Sequence, residues 1–173
     1  MRFPDIRCVH NSERFADFDS CRKFIGKFFK DRQIQSIIAS GTLKKKFRTT
    51  DLAAGMDSEN MQGFDLAEVG VVLADFGIAE TGTLVQFSST DEEKLSGILP
   101  PACMAILETG KIVPTAESLV ELISRHLAQT SGFGPQVAFI SGPSRTADIE
   151  CELQIGVHGP AELFILLIDR GLE

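Results

Sequence analysis

Apolar positions change their spacing several times along the chain, and each change marks an element. From Asp19 to Asp31, with Phe15 and Phe18 just before, Phe24, Phe28 and Phe29 recur at three- and four-residue steps among Arg22, Lys23, Lys27 and Lys30. That spacing predicts an amphipathic helix whose Phe stripe faces a core. Docking onto a partner protein is the other use of such a stripe. Ile34 to Ala39 reads as a short buried strand, and Val69 to Ala74 and Met104 to Leu107 are further apolar runs. Val137 to Ile140 and Leu163 to Ile168 are continuous apolar runs, as expected of central parallel strands buried on both faces. Gly77 to Ala79 and Leu84 to Phe87 flank a turn at Thr81-Gly82-Thr83.

A second helix is expected over Glu117 to Gln129, through Leu119, Val120, Leu122, Ile123 and Leu127. Thr115 is its expected N-cap, with Ser118 where a full capping box would carry Glu. Ser131-Gly132-Phe133-Gly134-Pro135 stops it. His126 on this helix is expected at the surface. Gly41 to Thr50, with Lys44, Lys45, Lys46 and Arg48, and Gly55 to Gly63 read as polar loops. Strands alternating with helices argue an α/β fold with a mainly parallel sheet flanked by helices. Residues 1–63 are read as an N-terminal helical and loop region packed on an α/β core of residues 64–173. Together they form a single structural domain.

Composition narrows the function. A chain of 173 residues with 43% hydrophobic content suits one domain with one core. The net charge of −7 repels phosphate backbones, so no nucleic-acid partner is expected. Met1 to Glu13 holds Arg2, Asp5, Arg7 and Glu13 with no apolar stretch, and the longest apolar run is Leu163 to Ile168. A cytoplasmic protein with no secretory signal and no membrane span is therefore expected. Cys8, Cys21, Cys103 and Cys151 form no C-x-x-C pair, which predicts reduced thiols, no zinc site and no iron–sulfur cluster. Thirteen Phe but no Trp or Tyr remove recognition by Tyr or Trp stacking.

Three segments carry candidate chemistry. In Ser141-Gly142-Pro143-Ser144-Arg145-Thr146-Ala147-Asp148-Ile149-Glu150, Gly142 permits a sharp turn directly after an apolar strand. Ser144 is read as the cap of a short helix starting at Arg145, whose free N–H groups would favour an anion. Ser141, Ser144 and Thr146 add hydroxyls, and the Arg145 fork matches a carboxylate or phosphate. Asp148 and Glu150 could repel the anion, bridge to it through a metal, or pair with Arg145. The plainer alternative is a well-capped turn with an internal ion pair. Neither a Walker loop nor a nucleophile elbow is present.

In Gly156-Val157-His158-Gly159-Pro160, the framed His158 is a candidate acid, base or ligand, or a ring that braces its own loop. In Ala79-Glu80-Thr81-Gly82-Thr83, Glu80 falls at a strand end. It is a candidate base or nucleophile, or a carboxylate that accepts turn amides. The three loops are expected to converge in one crevice at the carboxyl edge of the sheet.

Taken together, Ala79 to Leu84, Ser141 to Glu150 and Gly156 to Pro160 resemble the LUD domain family, in its lactate-utilisation protein C (YkgG) type. The resemblance covers roughly Val69 to Asp169. It implies a fold like the NagB/RpiA/CoA-transferase group. It also implies a role in oxidising L-lactate to pyruvate beside iron–sulfur partner subunits, which would hold the clusters while this chain binds no cofactor directly. On that reading Glu80, His158 and Glu150 are the catalytic candidates. Thr81, Gly82, Thr83, Lys94, Ser141, Gly142, Pro143, Ser144, Arg145, Thr146, Asp148, Gly156 and Gly159 would bind a small carboxylate or phosphate, with no metal.

Two positions depart from the family pattern. Lys94 stands where an Arg is usual, and Cys103, after Leu99-Pro100, stands near a usual His. Lys does not replace a bidentate Arg clamp. These departures leave open a stand-alone enzyme on an acyl or phosphorylated metabolite with a Glu nucleophile or base. A diverged binding or regulatory module is also open, as is homo-oligomerisation.

Overall fold

The computed structural model describes residues 10–39, 43, 67–128, 136–146, 154–155 and 158–170. The expected polar loops at Gly41 to Thr50 and Gly55 to Gly63 and the stop at Ser131 to Pro135 lie outside them. So do Cys8 and Cys151.

The main sheet is built from β1 (His10–Phe15), β2 (Ile37–Ala39), β3 (Val69–Leu73), β6 (Ala102–Glu108) and β11 (Glu162–Ile168). All five run parallel, in the order β1-β11-β6-β3-β2. The two inner neighbours β6 and β11 are apolar at nearly every position because both faces of the sheet are covered. Met104, Ile106, Phe164, Leu166 and Ile168 point to one face. Cys103, Ala105, Leu107 and Leu163 point to the other.

Helix α1 (Phe18–Asp31) covers the first face, burying Cys21, Ile25 and Phe29. The Phe stripe is therefore core, and Phe28 meets Phe164 edge-on at 4.9 Å. Asp17 caps the helix, its carboxylate accepting the Ser20 amide at 2.8 Å. At the other end Gln33 takes φ +56°, with Ile34 N–H donating to Phe29 O and Gln33 N–H to Lys30 O. This is the paired arrangement that usually recruits glycine.

The second face meets a smaller sheet of β4 (Phe76–Ile78), β5 (Thr83–Ser88), β7 (Ile112–Val113) and β8 (Gln136–Ile140). Their order is β7-β4-β5-β8. Ile78 and Val85 pack outward onto Leu119 and Ile123, from the 3-10 turn Ala116–Leu119 and helix α3 (Val120–Ala128). Helix α2 (Asp91–Ser96) lies between β5 and the main sheet's β3.

The expected mainly parallel α/β sheet with flanking helices is present, and four readings are corrected. Residues 10–39 contribute more than a helical layer, since β1 and β2 are the outer strands of the main sheet. β8 is no central parallel strand. It pairs antiparallel with β5 at the end of the second sheet, and Phe139 is 53% exposed. Its apolar character serves one packed face and an exposed residue, which composition alone does not separate from double burial. Thr115 does stand at the N-cap, in extended backbone, but of the 3-10 turn that opens the helix, and its side chain makes no cap bond. His126 is half-buried, its ring stacked on Phe87 at 4.4 Å.

Candidate functional site: a crevice at the amino ends of β6 and β11

β8 ends at Ile140 opposite Leu84, so the chain leaves the second sheet at Ser141, beside Thr83. Thr81 Oγ1 donates to Thr83 Oγ1 at 2.7 Å, and Thr83 Oγ1 lies 2.9 Å from Ser141 Oγ. Gly142, at φ +150°, then reverses the chain in a conformation that L side chains rarely adopt. The Ser144 amide donates to Pro160 O at 2.8 Å, and the His158 amide donates to Ser144 Oγ at 3.2 Å. A Cβ on Gly159 would sit 3.4 Å from that of Ser144, so the two loops are in van der Waals contact. The Ala161 amide donates to Pro101 O, fixing the loops to the entries of both β11 and β6.

Helix α2 forms another wall. Thr90 Oγ1 accepts the Glu93 amide, and the Glu93 carboxylate accepts the Ser89 amide at 2.8 Å, a reciprocal cap for a very short helix. Gln86 Nε2 donates to Glu93 O at 3.0 Å and ties the helix to β5. On the other side the Ser96 carbonyl packs directly onto the backbone of Gly70. These contacts set Lys94, Gly97 and Ile98 against Gln86 and Ser88. The crevice between them is open to solvent on one side and has a volume of about 390 Å³. Buried Cys103 and Leu163 are among its apolar lining residues.

Lys94, Ser141, Gly142, Pro143, Ser144, His158 and Gly159 all line this crevice. Thr83 stands one hydrogen bond behind it and Thr81 two, while Gly82, at φ +63°, makes their turn. Glu80 is exposed on that turn, its amide held by Pro114 O at 3.1 Å, and does not line the crevice. Arg145 and Thr146 follow Ser144 directly, but as strand β9 (Arg145–Thr146), paired antiparallel with β10 (Gln154–Ile155). The helix expected to start at Arg145 is therefore not formed. Paired as a strand, Arg145 and Thr146 do not present the cluster of free amides that a helix start would have offered to an anion. Asp148, Glu150 and Gly156 lie outside the described residues.

The position of the crevice is a further correction. It opens at the amino ends of β6 and β11, not at the carboxyl edge, because β8 belongs to the second sheet and delivers its loop from the other side. Gln86, Ser88, Ile98 and Phe139 also line the crevice, and sequence reading does not single them out. Gln86 and Ser88 do leave a signal, as polar residues two apart on an otherwise apolar strand, hence on one face.

Hydrogen-bond direction gives the site its chemistry. Ser144 Oγ already accepts from the His158 amide, so its own O–H remains to donate. Thr81 donates to Thr83, and the contact between Thr83 and Ser141 can run in either direction, so a ligand that accepts from Ser141 is met by a hydroxyl that can turn to it while Thr83 donates behind it. Two hydroxyl donors, the Lys94 ammonium and the His158 imidazole thus serve one space, a set that matches a carboxylate bearing a second oxygen function. Lys94 and Cys103 both fall in this lining. Burial pushes the Cys103 thiol up to about 12, so it meets a ligand as a neutral S–H.

Outside the crevice, Asp75 accepts the Phe87 amide at 2.7 Å in the second sheet. Burial raises its pKa above the ordinary 3.8, against the opposing pull of that amide and of Lys111 and His126. Its stabilising share is therefore full below about pH 3.8 and is lost as pH rises through the folded value. At pH 7 the charged carboxylate works against folding. Asp75→Asn keeps an acceptor for Phe87, so its melting temperature should exceed the parent's at pH 7 and match it near pH 3. A difference that stays the same across that range would contradict this account.

The crevice and the two-sheet frame define the class. The chain belongs to the LUD domain family, whose model matches residues 15–168. It is 36% identical over 121 residues to Lactate utilization protein C of Bacillus licheniformis, covering 69% of this chain and 50% of that one. It is 36% identical over 118 residues to Lactate utilization protein C of Bacillus subtilis, covering 68% and 49%. With the uncharacterized protein YkgG of Escherichia coli it shares 30% over 139 residues, covering 80% and 60%. The chain thus spans about half the length of the lactate-utilisation relatives it matches. Among solved structures, a DUF162 family protein from Deinococcus radiodurans superposes with a TM-score of 0.63 at 18% identity, covering 92% of this chain and 88% of that one. That likeness establishes the fold.

Proposed function

We propose that this protein serves in lactate utilisation, as a LUD-domain subunit or accessory factor that binds a small carboxylate in the crevice. One observation carries the site assignment: Lys94, Ser141, Ser144 and His158, drawn from three separate segments, line a single space. The names of the lactate-utilisation relatives supply the pathway. In this reading Lys94 neutralises the carboxylate, and Ser141 and Ser144 donate to its oxygens. Arg145, next in sequence to Ser144, is a further cation for the same anion. His158 is the group placed to take a proton from a 2-hydroxyl. Oxidising lactate to pyruvate breaks its O–H and C2–H bonds and releases two electrons and two protons; His158 would take the hydroxyl proton, and iron–sulfur clusters of partner subunits would supply the acceptor for the electrons. Among the described residues no helix is long and apolar enough to cross a membrane. A cytoplasmic site of action is part of the proposal.

Titration calorimetry with L-lactate tests this reading. Lys94→Met should weaken binding by about 2 kcal/mol, the usual loss when a charge-assisted hydrogen bond is removed. Ser141→Ala should cost about 1 kcal/mol. If a folded Lys94→Met variant binds as tightly as the parent, the crevice is not the carboxylate site.

A further inference from the structure

The crevice is large for a three-carbon acid. Its volume of about 390 Å³ lies within the roughly 300–1,000 Å³ range of sites that enclose drug-sized ligands. At roughly 30 Å³ per water molecule, that is space for about a dozen waters, and L-lactate displaces about a third of them. A carboxylate confined by a cation needs a filled pocket around it. Otherwise the remaining water competes for the same donors.

Most of the further lining is apolar, with Gln86 and Ser88 as its polar members. Cys103 and Leu163, 1% and 2% exposed, close the floor of the crevice from the main sheet and leave the contact area to its walls. Ile98, 37% exposed, and Phe139, 53% exposed, line the crevice from the segment after α2 and from β8. A single exposed Leu or Phe needs no explanation. Here, however, two exposed large apolar side chains from different elements share one crevice with a cation and two hydroxyls. Polar groups that fix one end of a ligand, beside apolar surface that takes up its body, are the pattern of a small-molecule site.

Resting on the lactate-utilisation reading above, we propose that the crevice takes a 2-hydroxy or 2-oxo carboxylate whose side chain is longer than methyl, aliphatic or aromatic. The carboxylate and its neighbouring oxygen face Lys94, Ser141 and Ser144. The side chain lies over Cys103 and Leu163 and beneath Ile98 and Phe139. Lactate binds to the same polar groups but leaves the apolar portion wet.

The test is a calorimetric series on the full chain with L-lactate, 2-hydroxybutanoate, 2-hydroxyhexanoate and 3-phenyllactate. The dissociation constant should fall about two- to fourfold per added methylene, the gain from burying apolar surface. Phenyllactate should bind at least about thirtyfold tighter than L-lactate, in line with burial of a ring. Phe139→Ser and Ile98→Ser should each weaken phenyllactate at least about fivefold more than they weaken L-lactate. Phe139 is half out of the fold, so its loss leaves the core intact. L-lactate binding with a flat or falling series overturns the inference and leaves the carboxylate reading standing. So does a chain-length gain that survives in the Ile98→Ser, Phe139→Ser double variant. If no acid in the series binds, or if all bind equally well to Lys94→Met, the carboxylate reading itself fails and the inference with it.

Discussion

Gly70→Ala is expected to cost about 3 kcal/mol or more of folding stability, read from the urea midpoint at unchanged slope. The reason is geometric. A Cβ at this position would lie 1.8 Å from the Ser96 carbonyl oxygen and 3.1 Å from Pro100 Cγ. The first neighbour is backbone, so no side-chain rotation relieves the clash. Either β3 leaves its register between β2 and β6, or α2 lifts away from the sheet. The second course separates Lys94 and Ile98 from the loops at Ser141 and His158, so L-lactate affinity should fall together with stability. A variant of parental stability would mean that α2 floats over β3 and that its contact with Gly70 is incidental.

Phe164→Ala should be comparably severe, at about 3–5 kcal/mol, the range for truncating a buried aromatic residue. Phe164 is 4% exposed in the α1-facing core, and Phe28 abuts it edge-on. The Arg32 guanidinium lies over both rings, 4.5 Å from the Phe28 centroid and 5.3 Å from that of Phe164. From there it reaches both oxygens of Glu162, at 3.1 and 2.8 Å. The substitution therefore opens a cavity and removes part of the platform that aims Arg32 at the start of β11. Arg32→Ala, whose ion pair is partly exposed, should cost only about 1 kcal/mol. If the two variants are equally destabilised, the ion pair rather than ring packing holds α1 to the sheet.

Sequence periodicity is informative where one face or both are uniformly buried. The Phe spacing locates α1, and the continuous apolar run locates β11. It fails where burial is partial. His10-Asn11-Ser12-Glu13-Arg14 carries no apolar signal because β1 is an outer strand held mainly by backbone pairing, with Phe15 alone packed on the core and Arg14 paired with Asp169, so nothing in its pattern announces a strand. Asp91-Glu92-Glu93-Lys94-Leu95-Ser96 is too short and too charged to show a helical stripe, although Thr90 and Glu93 spell out its cap. The candidate site is readable in part for a related reason. Glycines and hydroxyls around Ser141 and His158 announce turns, and the two turns do meet. Which edge of which sheet they meet at depends on β8 pairing with β5, a long-range choice that a five-residue apolar run does not encode. Arg145 shows the same limit, since a Ser-Arg-Thr sequence suits a helix start and a short paired strand equally well.

The parallel pairing of β1 with β11 also sets the order in which the molecule can be made. Arg14 and Asp169, bonded at the far end of that pair, lie 155 residues apart in the chain. Contacts of such span close late and slow the folding of parallel sheets. On a ribosome adding about 5–20 residues each second, β1 waits roughly eight to thirty seconds for its partner strand to be synthesised. A strand rich in Val or Ile would spend that interval as an adhesive edge. Asn11, Ser12, Glu13 and Arg14 are all exposed even in the finished fold, so the segment that must wait longest is the one that water solvates best.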